Sequence, residues 1–114
     1  MKKIIIVEDD DDLLDTLRDM LESEGHTIKG FSDIDGVIPA IQKWHPDVAF
    51  VDIRLPGGRG DDLVSAIKSS PNTNGVKIYL MSASDVLSKL ADDSHADGYL
   101  TKPFGFQEVI DLVN

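Results

Sequence analysis

Cysteine is missing from this chain, which excludes a disulfide framework and any thiolate metal site. The absence fits a reducing compartment, and a cytoplasmic location is the expectation. Aromatic residues are scarce at 6%, so the core that 41% hydrophobic residues can build must be mainly aliphatic. Positive charge is also scarce: 11 bases face 21 acids, a net charge of -10. Such a domain does not grip nucleic-acid phosphates or an anionic membrane surface by itself. No apolar run approaches the length of a transmembrane helix. The opening Met1-Lys2-Lys3 and its short apolar block are too brief for a signal peptide. Internal repeats and low-complexity linkers are absent too, so 114 residues read as one domain.

What the chain does have is a regular alternation. Ile4-Ile5-Ile6-Val7 is a β-branched block that reads as a strand, and five acids, Glu8 to Asp12, follow it. Leu13, Leu14, Leu17, Met20 and Leu21 then recur at helical spacing until Gly25. A weaker strand spans 26–31. A helix follows and runs to about Trp44, and Pro39 requires it to start late, near Gly36, or to bend. Val48-Ala49-Phe50-Val51 is an apolar run without alternation, the mark of a strand buried on both faces. Pro56 and the glycines at 57, 58 and 60 should stop regular structure. Leu63, Val64 and Ile67 mark a short third helix, 76–81 a fourth strand, and Val86 to Ala91 a short fourth helix. A fifth strand at 99–101 and a brief helix at 106–113 complete the chain. Five strand–helix alternations predict an α/β domain with a doubly wound parallel sheet. The spacing suits a single flavodoxin-like (βα)5 unit with strand order 2-1-3-4-5.

In such sheets ligands bind beyond the carboxyl ends of the strands. Glu8 and Asp9 lie at the first of these ends, Asp52 at the third, Ser82 at the fourth and Lys102 at the fifth. Asp10, Asp11 and Asp12 have a plainer explanation, because acids are favoured at a helix N-terminus. That explanation does not reach Glu8 or Asp9. Strands one and three are neighbours in the predicted order, about 4.8 Å apart, so Asp9 and Asp52 should converge. Two carboxylates that close repel by roughly 4 kcal/mol at an effective dielectric of 20. Lys102 offsets one charge, and a hard divalent cation is the natural complement for the rest. Magnesium suits such oxygen donors, with manganese as the alternative ion. The histidines at 26, 45 and 95 are scattered and read as surface residues rather than ligands. A cation, a lysine and a hydroxyl around one carboxylate suggest phosphoryl chemistry with Asp52 as nucleophile.

The chain resembles the receiver domain of bacterial two-component response regulators, essentially end to end. The resemblance is carried by Glu8-Asp9 after the first apolar block and by Val51-Asp52-Ile53-Arg54-Leu55-Pro56-Gly57 with Gly60. Met81-Ser82-Ala83 and Tyr99-Leu100-Thr101-Lys102-Pro103-Phe104 complete it. It implies that Asp52 is the phosphoacceptor, Asp9 a direct magnesium ligand and Glu8 an acid acting through water. Arg54 would lend its backbone carbonyl to the metal. Ser82 would be the switch hydroxyl, Lys102 the phosphate-contacting lysine and Tyr99 the aromatic that moves with the switch. The Lys102-Pro103 bond is expected to be cis. The donor would be a histidine kinase or a histidine phosphotransfer protein. The output would pass through the face of the fourth helix, fifth strand and fifth helix to a downstream protein or an output domain.

Such a chain is a signalling domain that assists its own phosphorylation and dephosphorylation, not an enzyme in the ordinary sense. The alternative is a degenerate receiver used as a phosphorylation-independent binding module, against which the intact acids and Lys102 argue. A flavin-binding relative of the fold is disfavoured by five acids where a phosphate loop would lie. An aspartyl-phosphate phosphohydrolase would need an acid where Arg54 stands. Three features depart from the family pattern: a short polar fourth helix, extra glycine and a cation in 57–60, and an abrupt end at Asn114. Residues 1–114 are thus expected to hold the receiver unit alone, either free-standing or trimmed from a longer protein, with no output segment after Asn114.

Overall fold

A computed structural model describes residues 1–114. Its centre is a five-stranded parallel sheet formed by β1 (Lys3–Val7), β2 (Thr27–Phe31), β3 (Val48–Asp52), β6 (Lys77–Ser82) and β7 (Gly98–Thr101). The order across the sheet is β2-β1-β3-β6-β7, the flavodoxin-like order anticipated. The numbering jumps because two short strands, β4 (Arg54–Leu55) and β5 (Gly58–Arg59), form a separate ladder after β3. Five helices cover the sheet: α1 (Asp11–Ser23), α2 (Val37–Trp44), α3 (Gly60–Lys68), α4 (Leu87–Ser94) and α5 (Phe106–Val113).

Side chains alternate across a strand, so the continuous apolar runs feed two cores at once. On one face Ile5, Val7, Ala49, Val51, Ile78 and Leu80 pack against α2, α3 and α4. On the other, Ile4, Ile6, Val48, Phe50, Met81 and Leu100 pack against α1 and α5. Aromatic packing in the interior centres on one stack, Phe50 on Tyr79, with ring centroids 5.6 Å apart. Everything else in both cores is close to the aliphatic filling expected.

The helix ends follow from local chemistry. The Asp10 carboxylate accepts from the backbone N–H groups of Asp12 and Leu13 at 3.1 and 3.2 Å, capping α1. That accounts for one of the five consecutive acids. The helix carrying Pro39 does start late, at Val37 after Gly36. Pro39 is then its third residue, where a missing N–H breaks no intrahelical bond. His45 and His95 end α2 and α4 in left-handed conformation, exposed as expected. His26 differs from expectation: it is half-buried, and its Nδ1 accepts the backbone N–H of Lys2 at 3.0 Å.

One expectation fails. Pro56 and the glycines do not stop regular structure. Leu55 pairs with Gly58 and Arg54 with Arg59 in an antiparallel hairpin. Pro56 and Gly57 are its turn, and φ +86° at Gly57 suits the second central position of a type II turn. Gly60 then begins α3 hard against β3. A Cβ there would lie 1.8 Å from the Asp52 carbonyl oxygen, so no other residue fits without displacing backbone. No helix is long and apolar enough to cross a membrane.

Candidate functional site

The register of the sheet assembles the site. Val7 pairs with Val51, so Glu8 and Asp52 come next on adjacent strands. Ser82 pairs with Thr101, so Lys102 emerges beside it, and its backbone N–H donates to the Ser82 carbonyl at 2.9 Å. Four strand ends therefore deliver Glu8, Asp9, Asp52, Ser82 and Lys102 to one rim of the sheet.

Lys102 is the hub. Its Nζ donates to Glu8 Oε1 at 2.6 Å and to Asp52 Oδ2 at 3.3 Å. The second Glu8 oxygen accepts the Asp10 backbone N–H at 3.3 Å. Carboxylate oxygens of Glu8, Asp9 and Asp52 lie within 4.8 Å of one another. Glu8 is fully buried, Asp52 nearly so and Asp9 exposed. A cavity of about 750 Å³ opens above them, lined by Asp9, Asp52, Arg54, Ser82, Ala83, Ser84, Asp85 and Lys102. Ser82 is buried, and its Oγ accepts the Ser84 backbone N–H at 3.0 Å, leaving the hydroxyl proton available to another acceptor.

The electrostatics show an excess of negative charge. Burial pushes the Glu8 carboxyl up to about 7, the hydrogen bond and charge of Asp52 push the same way, and Lys102 opposes them. For Lys102, burial acts to lower the pKa, but its hydrogen bond and charge interaction with Glu8, then the charge of Asp52, outweigh burial and raise it. One lysine thus faces three acids.

The donor set fits a hard cation. All three groups offer oxygens, the donors a hard cation takes, and these lie within 4.8 Å of one another. Asp9 and Asp52 face the cavity, whereas Glu8 has both oxygens engaged beneath it.

Tyr99 stands apart. It lies on edge strand β7, 46% exposed, and does not line the cavity. The Lys102-Pro103 bond is cis. Two cavity residues escaped the sequence reading, Ser84 and Asp85, which follow the fourth strand end with no distinguishing pattern. Arg54 was read only through its carbonyl. The unforeseen hairpin also places it on the cavity rim.

Comparison with known proteins agrees with this geometry. The family model described as "Response regulator receiver domain" matches residues 4–114. The chain is 30% identical over 109 residues to the two-component response regulator PhoP of Pseudomonas aeruginosa, covering 94% of this chain and 48% of that protein. It is 30% identical over 113 residues to the DNA-binding response regulator MtrA of Mycobacterium tuberculosis, covering 96% and 47%. The chain therefore spans about half the length of these relatives. Among solved structures, a putative response regulator from Chloroflexus aurantiacus superposes with a TM-score of 0.92 at 26% identity, covering 98% and 93% of the two chains. The chemotaxis response regulator CheY4 of Vibrio cholerae gives 0.90 at 20% identity, covering 99% and 96%, a likeness of fold. With its acids, hydroxyl and lysine gathered at one rim of the sheet, the chain belongs to the response regulator receiver domain family.

Proposed function

We propose that this receiver domain accepts a phosphoryl group on Asp52 from a histidine kinase or a histidine phosphotransfer protein, in a magnesium-dependent reaction. The observation that carries the reading is the Lys102 ammonium bridging Glu8 and Asp52 with Asp9 in reach. An Asp52 carboxylate oxygen attacks phosphorus, the bond to the donor imidazole breaks, and an acyl phosphate remains. Lys102, already beside Asp52, neutralises a phosphoryl oxygen without reorganising. Ser82 directs its free hydroxyl proton at another. Asp9, Asp52 and the Arg54 carbonyl would hold the ion, with Glu8 acting from below through water. Bound there, magnesium (or manganese) would neutralise charge on the transferring group. Later, water attacks the same phosphorus, the bond to the Asp52 oxygen breaks and inorganic phosphate leaves, assisted by the same groups.

Readout follows from the same rim. A Ser82 side chain drawn toward the phosphoryl group leaves space behind it on the side of β7. The half-exposed Tyr99 is the aromatic positioned to respond. The change would bias the α4–β7–α5 face, and because this is a population shift some active form exists without phosphate. The recipient is a downstream protein or an output domain of the kind that makes the relatives twice as long. We place this activity in the cytoplasm, where ATP-derived phosphohistidine is made.

The decisive experiment is labelling with acetyl phosphate and Mg2+, read as an 80 Da class mass increase or a gel-mobility shift. The native protein gains one phosphoryl group, and Asp52→Asn gains none. Label surviving in Asp52→Asn would overturn the assignment.

A further inference from the structure

The turn that carries the chain from α3 into β6 holds two asparagines in different settings. Asn72 precedes Thr73, which is buried. The Thr73 N–H donates to the Ser70 carbonyl at 3.2 Å, and its Oγ1 donates to the Ile67 carbonyl at 2.7 Å. The amide that follows Asn72 is therefore engaged. Asn74 precedes Gly75. The Asn74 N–H donates to the Ser70 carbonyl at 3.0 Å, but the Gly75 N–H donates to no group of the protein. Both residues are exposed and line an open cleft of about 500 Å³. A Cβ on Gly75 would meet no atom within 4 Å, so the space around it is empty.

The Gly75 nitrogen and Asn74 Cγ stand a single bond away from closing a succinimide ring, and glycine puts no side chain in the way of that closure. The obstacle is the weak acidity of the N–H. Here the fold lends a charge. Lys68 Nζ donates to the Asn74 main-chain carbonyl at 3.4 Å. When the Gly75 nitrogen loses its proton, negative charge spreads onto that same oxygen, and a neighbouring ammonium favours the charged form.

We propose that Asn74 is a site of self-modification, converted to isoaspartate by the Gly75 amide, and that the product loosens the contact of Lys68 with this turn. The Gly75 N–H gives its proton to hydroxide, the nitrogen bonds to Asn74 Cγ, and the Cγ–Nδ2 bond breaks with loss of ammonia. Water then opens the ring. Attack at the former main-chain carbonyl, the one beside Lys68, leaves the chain running through the side chain, one carbon longer, and turns that carbonyl into a carboxylate. The sum is one water consumed and one ammonia released, with nothing oxidised or reduced. Lys68, which pairs with Asp97 at 2.8 Å, then faces a second carboxylate on a lengthened link between α3 and β6.

Incubation of the native protein at mildly alkaline pH, followed by tryptic digestion, tests it. The peptide 69–77 should gain about 1 Da as NH2 gives way to OH. Fragmentation should place the change at Asn74 and not at Asn72, and an isoaspartyl methyltransferase should label the product. Gly75→Ala, whose methyl group hinders the nitrogen, should convert about 10-fold more slowly. The converted native protein should unfold at a lower urea midpoint than fresh protein. An unchanged peptide, conversion of Asn72 as fast as Asn74, an equal rate in Gly75→Ala, or an unshifted midpoint after conversion overturns the proposal.

Discussion

Two lysine–carboxylate centres stand at opposite ends of the same sheet, and they are built on different principles. At the amino ends of the strands, Lys68 pairs with Asp97 at 2.8 Å, one charge against one. Asp97 also accepts the Ile78 backbone N–H at 2.8 Å, and Lys68 donates to the carbonyls of Val76 and Asn74. This ties α3, the start of β6 and the turn before β7 into a satisfied staple. At the carboxyl ends, Lys102 faces Glu8, Asp52 and Asp9, and burial, reinforced by Asp52, lifts Glu8 to about 7. The first centre has nothing left to bind. The second is short of positive charge and open to a cavity. The comparison teaches that unmet charge beside a cavity, rather than a buried ion pair as such, separates a working end from a structural one.

Glycine substitutions break the comparison most sharply. Gly60→Ala drives a Cβ to 1.8 Å from the Asp52 carbonyl oxygen, and only backbone movement relieves it. A loss of about 3 kcal/mol or more is expected, with magnesium binding lost as well. Gly75→Ala, in the loop at the other end, meets nothing within 4 Å and should stay within about 0.5 kcal/mol of the native protein. Urea denaturation of both variants decides the matter. Equal losses would mean that the two ends are packed alike.

Lysine replacement is the next largest effect, and it inverts the usual ranking. Lys68→Met strands Asp97 and removes a donor from two carbonyls, for an expected loss of about 2 kcal/mol. Lys102→Met should cost metal-free protein about 1 kcal/mol or less near neutral pH. Glu8 already stands at about 7 and takes up a proton when its lysine goes, and Asp52, which loses the same partner, opens to the cavity where water can solvate it. In acetyl phosphate labelling the ranking reverses, because only Lys102 touches the acceptor. A Lys102→Met variant less stable than Lys68→Met would contradict the contrast drawn between the two ends.

Much of the working end could be read from the chain, and for a physical reason. Strands buried on both faces must be continuous apolar runs, so the residues that end them stand out when they are Glu8 or Asp52, whereas Lys102 follows a partly exposed edge strand. Parallel order then brings those residues together whatever the helices do. The hairpin was illegible because Pro56-Gly57 signals a turn without saying whether the chain beyond it pairs back. Arg54, on the cavity rim at the start of that hairpin, was invisible as a lining residue too. Gly60 was visible as part of a motif, but the contact that demands it lies with the backbone of another element. The staple at the amino end was equally hidden, since Lys68 and Asp97 sit in a helix and a turn whose approach only the packed sheet sets.

The amino end also holds the smallest predicted effect, and it sharpens the contrast by its dependence on pH. His26 accepts the Lys2 backbone N–H at Nδ1, joining the chain before β1 to the entry of β2. Burial holds its pKa below the ordinary value, and the positive N-terminus and Lys2 act in the same direction. The neutral ring is the one that can accept this bond. A lowered pKa in the folded state means that the unfolded chain binds more protons between the two values, so stability rises with pH across that window. The contribution is complete above about 6.5 and is lost as pH falls through the folded value. It amounts to about 1 kcal/mol or less, the worth of one hydrogen bond at a partly exposed site. His26→Gln, which keeps an acceptor without titrating, should flatten this part of the stability profile between pH 7.5 and 5. Urea midpoints measured on both proteins at fixed ionic strength check it, and parallel profiles would show that His26 carries no part of the pH dependence.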